Sequence, residues 1–409
     1  MADIKEFKLE IPQTQIDALL EKLRLSTLPD ELEGSAWELG SPLSDVARLK
    51  QYWQTQFDFS KFQQQINELP QYVTPVTVEG FGTLDIHFVW QKSQIKNAIP
   101  LLFVHVSAKA EIHLSCLSQG DGVNKPAFEI VAPSLPNFGF SEGAKQRGFD
   151  ISKYAEALNQ LMLKLGYEEY VTQGGDWGYM ITRTMSLKYP EHVKACHINL
   201  ARPSHAPKFF ENPLLAIKHA IVPYTQLDKQ GLARGRWFSA EGSGYNLEQS
   251  TKPQTIGYAL ADSPVALLAW IYEKLHDWTD NYPWTDDEIL TWISIYHFSR
   301  AGAWASVRIY YEATHATNGI ARTRAGSYIP HVPLGIARFP QELYGAPSTW
   351  NATMAPKVYQ SDNSKGGHFA ATENPEAIVR DLNIMLSPGG IAHKVVRDRS
   401  GYQRFGSKL

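Results

Sequence analysis

The sequence predicts an α/β fold with a mostly parallel central sheet flanked by helices. Short, largely apolar runs at residues 100–105 and 128–133 are typical of strands that are buried on both faces of such a sheet. Apolar residues at helical spacing over 154–165 precede a strand pattern at 170–173, and a second helical pattern follows Gly178. Strands and helices that alternate in this order favour parallel strands joined by right-handed crossovers.

Around this core, the sequence predicts a helical arm and a helical insertion. Apolar residues recur at helical spacing over 16–23 and 49–57, and a hairpin pattern follows with strands at 72–78 and 84–90. Strand patterns then largely vanish over 203–326. The predicted units are a helical N-terminal arm (1–70), the first part of the core (71–202), a helical cap (203–326), and the second part of the core with the C-terminal tail (327–409).

The composition argues against several classes of function. Lys and Arg total 39 against 42 Asp and Glu, and the resulting net charge of -3 argues against a nucleic-acid-binding protein. The 13 histidines show no metal-ligand spacing, so we expect no metal site. There is also no glycine-rich phosphate loop, so we expect no cofactor.

The two ends of the sequence bear on localisation. The first residues carry charges at Asp3 and Lys5 and lack the apolar region of a signal peptide, so we expect a cytoplasmic protein without a membrane anchor. The last three residues, Ser407-Lys408-Leu409, match a peroxisomal signal. The peroxisome is therefore the alternative.

The most informative element is Gly174-Gly175-Asp176-Trp177-Gly178, which lies between a predicted strand and a predicted helix. Glycines two positions before and after Asp176 give the spacing of a nucleophile elbow, a sharp turn that projects its central side chain. Ser usually occupies that centre, and here it is Asp. By itself the element fits equally well a glycine-rich turn in which Asp176 caps the next helix.

Residues later in the chain favour the elbow. His368 follows a predicted strand and precedes the last predicted helix, so a nucleophile, an acid and a histidine occur in the chain order of the α/β-hydrolase fold. A general-base histidine needs an acid that holds its tautomer. Asp362 is one candidate, but we prefer Glu342 because it occupies the loop after the strand pattern at 332–337.

An Asp nucleophile predicts a particular chemistry. A carboxylate attacks a saturated carbon and forms an alkyl ester, which water activated by His368 hydrolyses at the carbonyl of Asp176. The substrate must therefore carry a leaving group on sp3 carbon, such as an epoxide oxygen or a halide. An epoxide oxygen leaves as an alkoxide and needs an acid of pKa ~10, which a tyrosine supplies, whereas a halide needs only N–H donors.

These motifs resemble those of the epoxide hydrolases of the microsomal and fungal type, which are α/β-hydrolases with a helical N-terminal arm. The resemblance spans about residues 5–390. It implies that Asp176 is the nucleophile, that His368 in Gly-Gly-His-Phe-Ala-Ala is the general base, and that Glu342 is the charge-relay acid.

The resemblance also implies further site residues and partners. Tyr245 in Gly-Ser-Gly-Tyr and Tyr310 in Ile-Tyr-Tyr-Glu align with the family tyrosines that polarise the epoxide oxygen, and Tyr311 is the alternative register for Tyr310. The N–H of Trp177 is the implied oxyanion donor. The implied partners are a small hydrophobic epoxide and water, without a cofactor, and a homodimer is an analogy with the family.

One segment departs from the family pattern. The family carries His-Gly-x-Pro-Gly after the strand that ends at His105, and its turn supplies an N–H to the oxyanion hole. Here His105 is followed by Val-Ser-Ala-Lys-Ala, without the Gly or the Pro. Losing one oxyanion donor costs ~10²–10³ in rate. We therefore predict slow hydrolysis with accumulation of the alkyl-enzyme, unless residues 106–122 reflect an error in the gene model.

Epoxide hydrolysis to a vicinal diol is the predicted function, and two others remain open. A haloalkane dehalogenase fits an Asp nucleophile but is disfavoured by the pair Tyr245 and Tyr310. A catalytically impaired or biosynthetic relative that binds a hydrophobic ligand fits the altered turn after His105.

Overall fold

The computed structural model describes residues 3–105, 120–317 and 322–403. The strands of these residues are β1 (Lys5–Glu6), β2 (Gln71–Val78), β3 (Gly82–Gln91), β4 (Ile99–Val104), β5 (Phe128–Pro133), β6 (Tyr170–Gly174), β7 (Val193–Ile198), β8 (Leu334–Arg338) and β9 (Val358–Asp362). They form one sheet in the spatial order β1-β2-β3-β5-β4-β6-β7-β8-β9. Pairing is antiparallel from β1 to β5 and parallel from β5 to β9, which confirms the predicted fold class.

Helices flank this sheet. The arm holds α1 (Gln13–Leu25), α2 (Leu43–Thr55) and α3 (Phe59–Asn67), and the core holds α4 (Ile151–Lys164), α5 (Trp177–Lys188), α13 (Ser348–Asn351), α14 (Ala370–Glu373) and α15 (Pro375–Leu386). Between β7 and β8 lie α6 (Pro213–Ile221), α7 (Gln226–Trp237), α8 (Gly244–Thr251), α9 (Pro253–Asp262), α10 (Pro264–Asp277), α11 (Asp286–His297) and α12 (Arg308–Thr314). No helix in the described ranges is long and apolar enough to cross a membrane.

The central strands bury both of their faces. In β4, Leu102 and Val104 join a core cluster with α4 and α5, whereas Leu101 and Phe103 join a second cluster with α15. Successive side chains of a strand point to opposite faces, so an unbroken apolar run is what a strand between two helical layers requires.

The arm packs against the helices between β7 and β8. Leu49 and Trp53 of α2 are buried in one cluster with Leu268 of α10 and Leu290 of α11. This cluster explains why the arm carries apolar stripes at helical spacing without a sheet of its own to cover. The residue boundaries of the four predicted units stay predictions.

Several short elements escaped the sequence patterns, and one predicted helix has different bounds. β1 has two residues, β7 is interrupted by Lys194 and His197, and α3 is only nine residues long. Such elements carry too few apolar positions to show a period. The helical pattern over 49–57 began too late and ended too late, because α2 begins at Leu43 and ends at Thr55.

Candidate active site

Asp176 lies at a sharp turn between β6 and α5. Its φ of 53° and ψ of -125° are strained for a residue with a Cβ, and its side chain makes no capping hydrogen bond to α5. The helix-cap alternative is therefore wrong. The flanking glycines are required because a Cβ on Gly174 would lie 2.4 Å from the carbonyl oxygen of Gly178, and one on Gly178 would lie 1.9 Å from that of Val104.

His368 and Glu342 form a buried pair beside this turn. His368 Nδ1 lies 2.6 Å from Glu342 Oε1, which also accepts a hydrogen bond from the N–H of Leu343 at 2.7 Å. A carboxylate at Nδ1 keeps a proton on that nitrogen and orients the ring so that Nε2 faces the nucleophile. His368 Nε2 is 3.9 Å from Asp176 Oδ1, which is too long for a direct hydrogen bond.

Asp362, the competing acid, lies elsewhere. It ends β9, its side chain is 52% exposed, and it pairs with Arg338 at 2.9 Å. The sequence-based preference for Glu342 agrees with this geometry.

Nearby carboxylates raise the pKa of His368. Burial by itself would lower that pKa, but Glu342, Asp176 and Glu373 outweigh it and raise it to about 9. Each negative charge stabilises the imidazolium. The imidazole is therefore protonated at neutral pH, and a change in the charge of Asp176 changes the base strength of His368.

The two tyrosines reach the same pocket from different helices. Tyr245 is the second residue of α8, and Tyr310 lies in α12; their ring centres are 5.8 Å apart. The ring of Tyr310 also packs edge-on against Trp177 at 4.8 Å. Tyr311, the alternative register, stacks instead on His315 at 4.0 Å and does not line the pocket.

The pocket is a cavity of about 80 Å³ with mainly apolar walls. Asp176, Trp177, Tyr245, Tyr310 and His368 all line it. The aromatic walls come from the segment between β7 and β8 and from the residue after the histidine, namely Trp270, Trp278, Trp292, Tyr296 and Phe369.

Three features of the site escaped sequence reasoning. Lys274 of α10 lines the pocket although its side chain is only 8% exposed. Glu373 accepts hydrogen bonds from the N–H groups of Phe369 and Asp280, and its burial raises its pKa to about 7. The backbone N–H of His368 donates a hydrogen bond of 2.8 Å to the backbone carbonyl oxygen of Trp278. The charged lysine inside an apolar helix was the visible signal for the first of these.

The described residues include only part of the candidate oxyanion hole. Trp177 is the first residue of α5, where helix N–H groups have no carbonyl partner within the helix. His105 lines the pocket, and its burial lowers its pKa to about 4, so it is neutral. Residues 106–119, which include the altered turn, lie outside the described residues, as does the tripeptide 407–409.

Comparisons with known proteins show the family and the fold. Two family models match, "Epoxide hydrolase N terminus" over residues 4–109 and "alpha/beta hydrolase fold" over residues 99–280. Epoxide hydrolase 1 of Sus scrofa is 34% identical and aligns over 94% of this chain and 88% of its own. The structure of Aspergillus niger epoxide hydrolase is 30% identical, with a TM-score of 0.75 over 92% of this chain and 94% of its own. The juvenile hormone epoxide hydrolase of Bombyx mori is 28% identical, with a TM-score of 0.80 over 93% of each chain.

Proposed function

The chain belongs to the epoxide hydrolase family, and we propose that its pocket converts an epoxide to a vicinal diol through a covalent ester of Asp176. The observation that carries this proposal is the convergence of three groups on one cavity. These are a strained carboxylate, a histidine paired with a buried acid, and two phenols. A halide would leave without the protons that the phenols supply, so the same pocket favours an epoxide.

The first step forms the ester. A carboxylate oxygen of Asp176 attacks an epoxide carbon, the ring C–O bond breaks, and its electron pair stays on the epoxide oxygen. That oxygen takes a proton from Tyr245 or Tyr310, which leaves a 2-hydroxyalkyl ester and a tyrosinate. Two phenols on one oxygen stabilise the developing charge before the proton moves.

The second step hydrolyses the ester. His368 Nε2 takes a proton from water while the water oxygen attacks Cγ of Asp176. The tetrahedral intermediate expels the diol oxygen, which takes the proton from the imidazolium, and the proton left on Asp176 returns to the tyrosinate. Esterification removes the negative charge of Asp176, which is one of the causes of the raised pKa of His368. Ester formation therefore lowers the pKa of His368 and makes the neutral imidazole that hydrolysis needs easier to reach, while Glu342 still favours the proton.

Oxygen labelling tests the covalent route. In a single turnover in H2¹⁸O with excess enzyme, the diol should contain no ¹⁸O, because its new oxygen comes from the carboxylate of Asp176. After many turnovers, mass spectrometry of the peptide that contains Asp176 should find ¹⁸O in that side chain. A fully labelled diol from the first turnover would contradict the ester and indicate direct attack by water.

The altered turn after His105 leads to a separate proposal about rate. If hydrolysis lacks one oxyanion donor, it should be slowed more than ester formation, since the hole serves the tetrahedral intermediate. Intact-protein mass spectrometry during turnover should then find most of the enzyme as the adduct. A free enzyme at steady state with rapid diol formation would show that hydrolysis is not impaired.

A further inference from the structure

Lys274 is a buried cation in the wall of the pocket. It lies near the end of α10 and is 7% exposed as a residue. Its ammonium lies 5.1 Å from the ring centre of Tyr245 and 4.8 Å from that of Trp270. Burying a charged group is costly, so a lysine in this position has a structural or chemical reason.

Glu273 is the counter-ion of this lysine. Burial lowers the pKa of Lys274, and Glu273, whose Oε1 is 2.5 Å from the ammonium, acts in the opposite direction together with the more distant Asp277. The side chain of Glu273 is 33% exposed, and its other oxygen lies beside Gly40 of the arm. Water screens the carboxylate more than the buried ammonium, so the net field in the pocket is positive on the Lys274 side.

Other cations near Tyr245 are engaged elsewhere. Arg202 stacks its guanidinium on the ring of Tyr344 at 3.8 Å, and His368 pairs with Glu342. The titratable groups that share a cavity wall with Tyr245, besides Lys274, are His105, Asp176, Arg202, Tyr296, Tyr310, Tyr344 and His368.

We propose that Lys274 is a positioning residue that acts through Tyr245, by stabilising the negative charge that this tyrosine carries after it protonates the epoxide oxygen. The inference rests on the proposed function. A phenolate spreads its charge over the ring, so a cation near the ring favours it over the neutral phenol. In ester formation, negative charge leaves Asp176 and arrives on the tyrosine. A cation on the tyrosine side therefore stabilises the transition state more than the ground state.

The main test separates ester formation from hydrolysis. Rapid quenching and intact mass spectrometry with styrene oxide would give both rates for the wild type, K274M, K274R and the exposed-lysine control K252M. We expect K274M to slow ester formation by about 10- to 100-fold, with hydrolysis of the preformed ester within about 2-fold of the wild type. K274R should recover most of the loss, and K252M should match the wild type.

Two further readouts exclude a purely structural role. In a Y245F background, K274M should have almost no additional effect, because the group it acts through is gone. The pH at which ester formation declines on the alkaline side should rise in K274M. Equal slowing of both steps, or an unchanged rate of ester formation in K274M, would overturn the proposal.

The variant E273Q covers the case in which K274M does not fold. Without its counter-ion, Lys274 should lose its proton at a lower pH, so ester formation should decline earlier on the alkaline side while it stays near the wild-type rate at low pH. A pH profile identical to that of the wild type would refute the role of Lys274. If the wild type itself forms neither adduct nor diol, the proposed function fails instead, so the two failures are distinguishable.

Discussion

The two halves of the candidate site are held in place by different forces. The core half, Asp176, His368 and Glu342, lies on loops at strand ends and is fixed by short hydrogen bonds, such as the 2.6 Å contact between His368 and Glu342. The cap half, Tyr245 and Tyr310, is positioned by ring packing on neighbouring aromatic residues. Hydrogen bonds fix the tautomer and the direction of the imidazole, whereas ring packing fixes the position of each aromatic ring.

This difference follows from what each half must do. Ester hydrolysis needs one nitrogen of one tautomer aimed at one carbon, so the core half tolerates little error. Delivery of a proton to an epoxide oxygen can come from either of two phenols, so the cap half tolerates the loss of one. Changes in the core half should therefore cost more than single changes in the cap half.

The nucleophile should show the largest effect. Asp176→Ala removes the group that forms the ester, so diol formation should fall by at least about 10⁴-fold. Diol analysis by chromatography, with mass spectrometry for the adduct, measures both outcomes. A residual rate within 100-fold of the wild type would show that the core half is not essential.

Glu342, the proposed charge-relay acid, should come next. Glu342→Gln keeps the shape but removes the charge that orients and stabilises His368, so we expect about a 10³-fold loss in hydrolysis and accumulation of the alkyl-enzyme. Asp362→Asn is the matched control, because Asp362 lies at the end of β9 and pairs with Arg338. If Asp362→Asn slowed hydrolysis and Glu342→Gln did not, the assignment of the acid would be reversed.

Replacing one tyrosine should slow the reaction less than the changes above, whereas replacing both should slow it strongly. Tyr245→Phe and Tyr310→Phe should each slow ester formation by about 10- to 100-fold, and the double variant should nearly abolish it. Tyr311→Phe is the control for the neighbouring register and should leave the rate unchanged. A double variant that is no slower than either single variant would mean that only one phenol acts.

The raised pKa of His368 offers a direct test of coupling within the core half. In Asp176→Asn the carboxylate charge is lost, so the pKa of His368 should fall from about 9 by roughly 1 unit. NMR titration of labelled histidine would measure it. Because folded His368 binds its proton more tightly than the unfolded chain, this proton stabilises the fold below about pH 6.5, and that stability is lost as the pH rises towards 9. An unchanged pKa of His368 in the variant would assign the shift to Glu342 and Glu373.

The strained elbow predicts the smallest effect, and it concerns stability. Asp176 has a positive φ, which glycine adopts without strain, so Asp176→Gly should be more stable than Asp176→Ala by about 1 kcal/mol. Both variants should be inactive. Urea unfolding of the two proteins measures the difference, and equal stability would show that the turn is not strained.

The sequence by itself determined the fold class, several central strands, the elbow and the family. Apolar runs such as residues 128–133 form strands at the predicted positions. A strand that is buried on both faces needs an almost unbroken run of apolar residues, and such a run is visible in the sequence. The glycines around Asp176 were equally informative, since backbone approaches below 2.5 Å leave no room for a Cβ. Local sterics and burial act on adjacent residues, so they are visible in the chain.

Only the tertiary structure decided which groups meet. The choice between Glu342 and Asp362 rested on sequence position until the structure brought Glu342 to His368. Lys274 gave no sign that its ammonium lies beside Tyr245, 29 positions earlier in the chain. Contacts of this kind depend on how helices from separate segments pack, and the pKa of a group depends on the charges that such packing brings close.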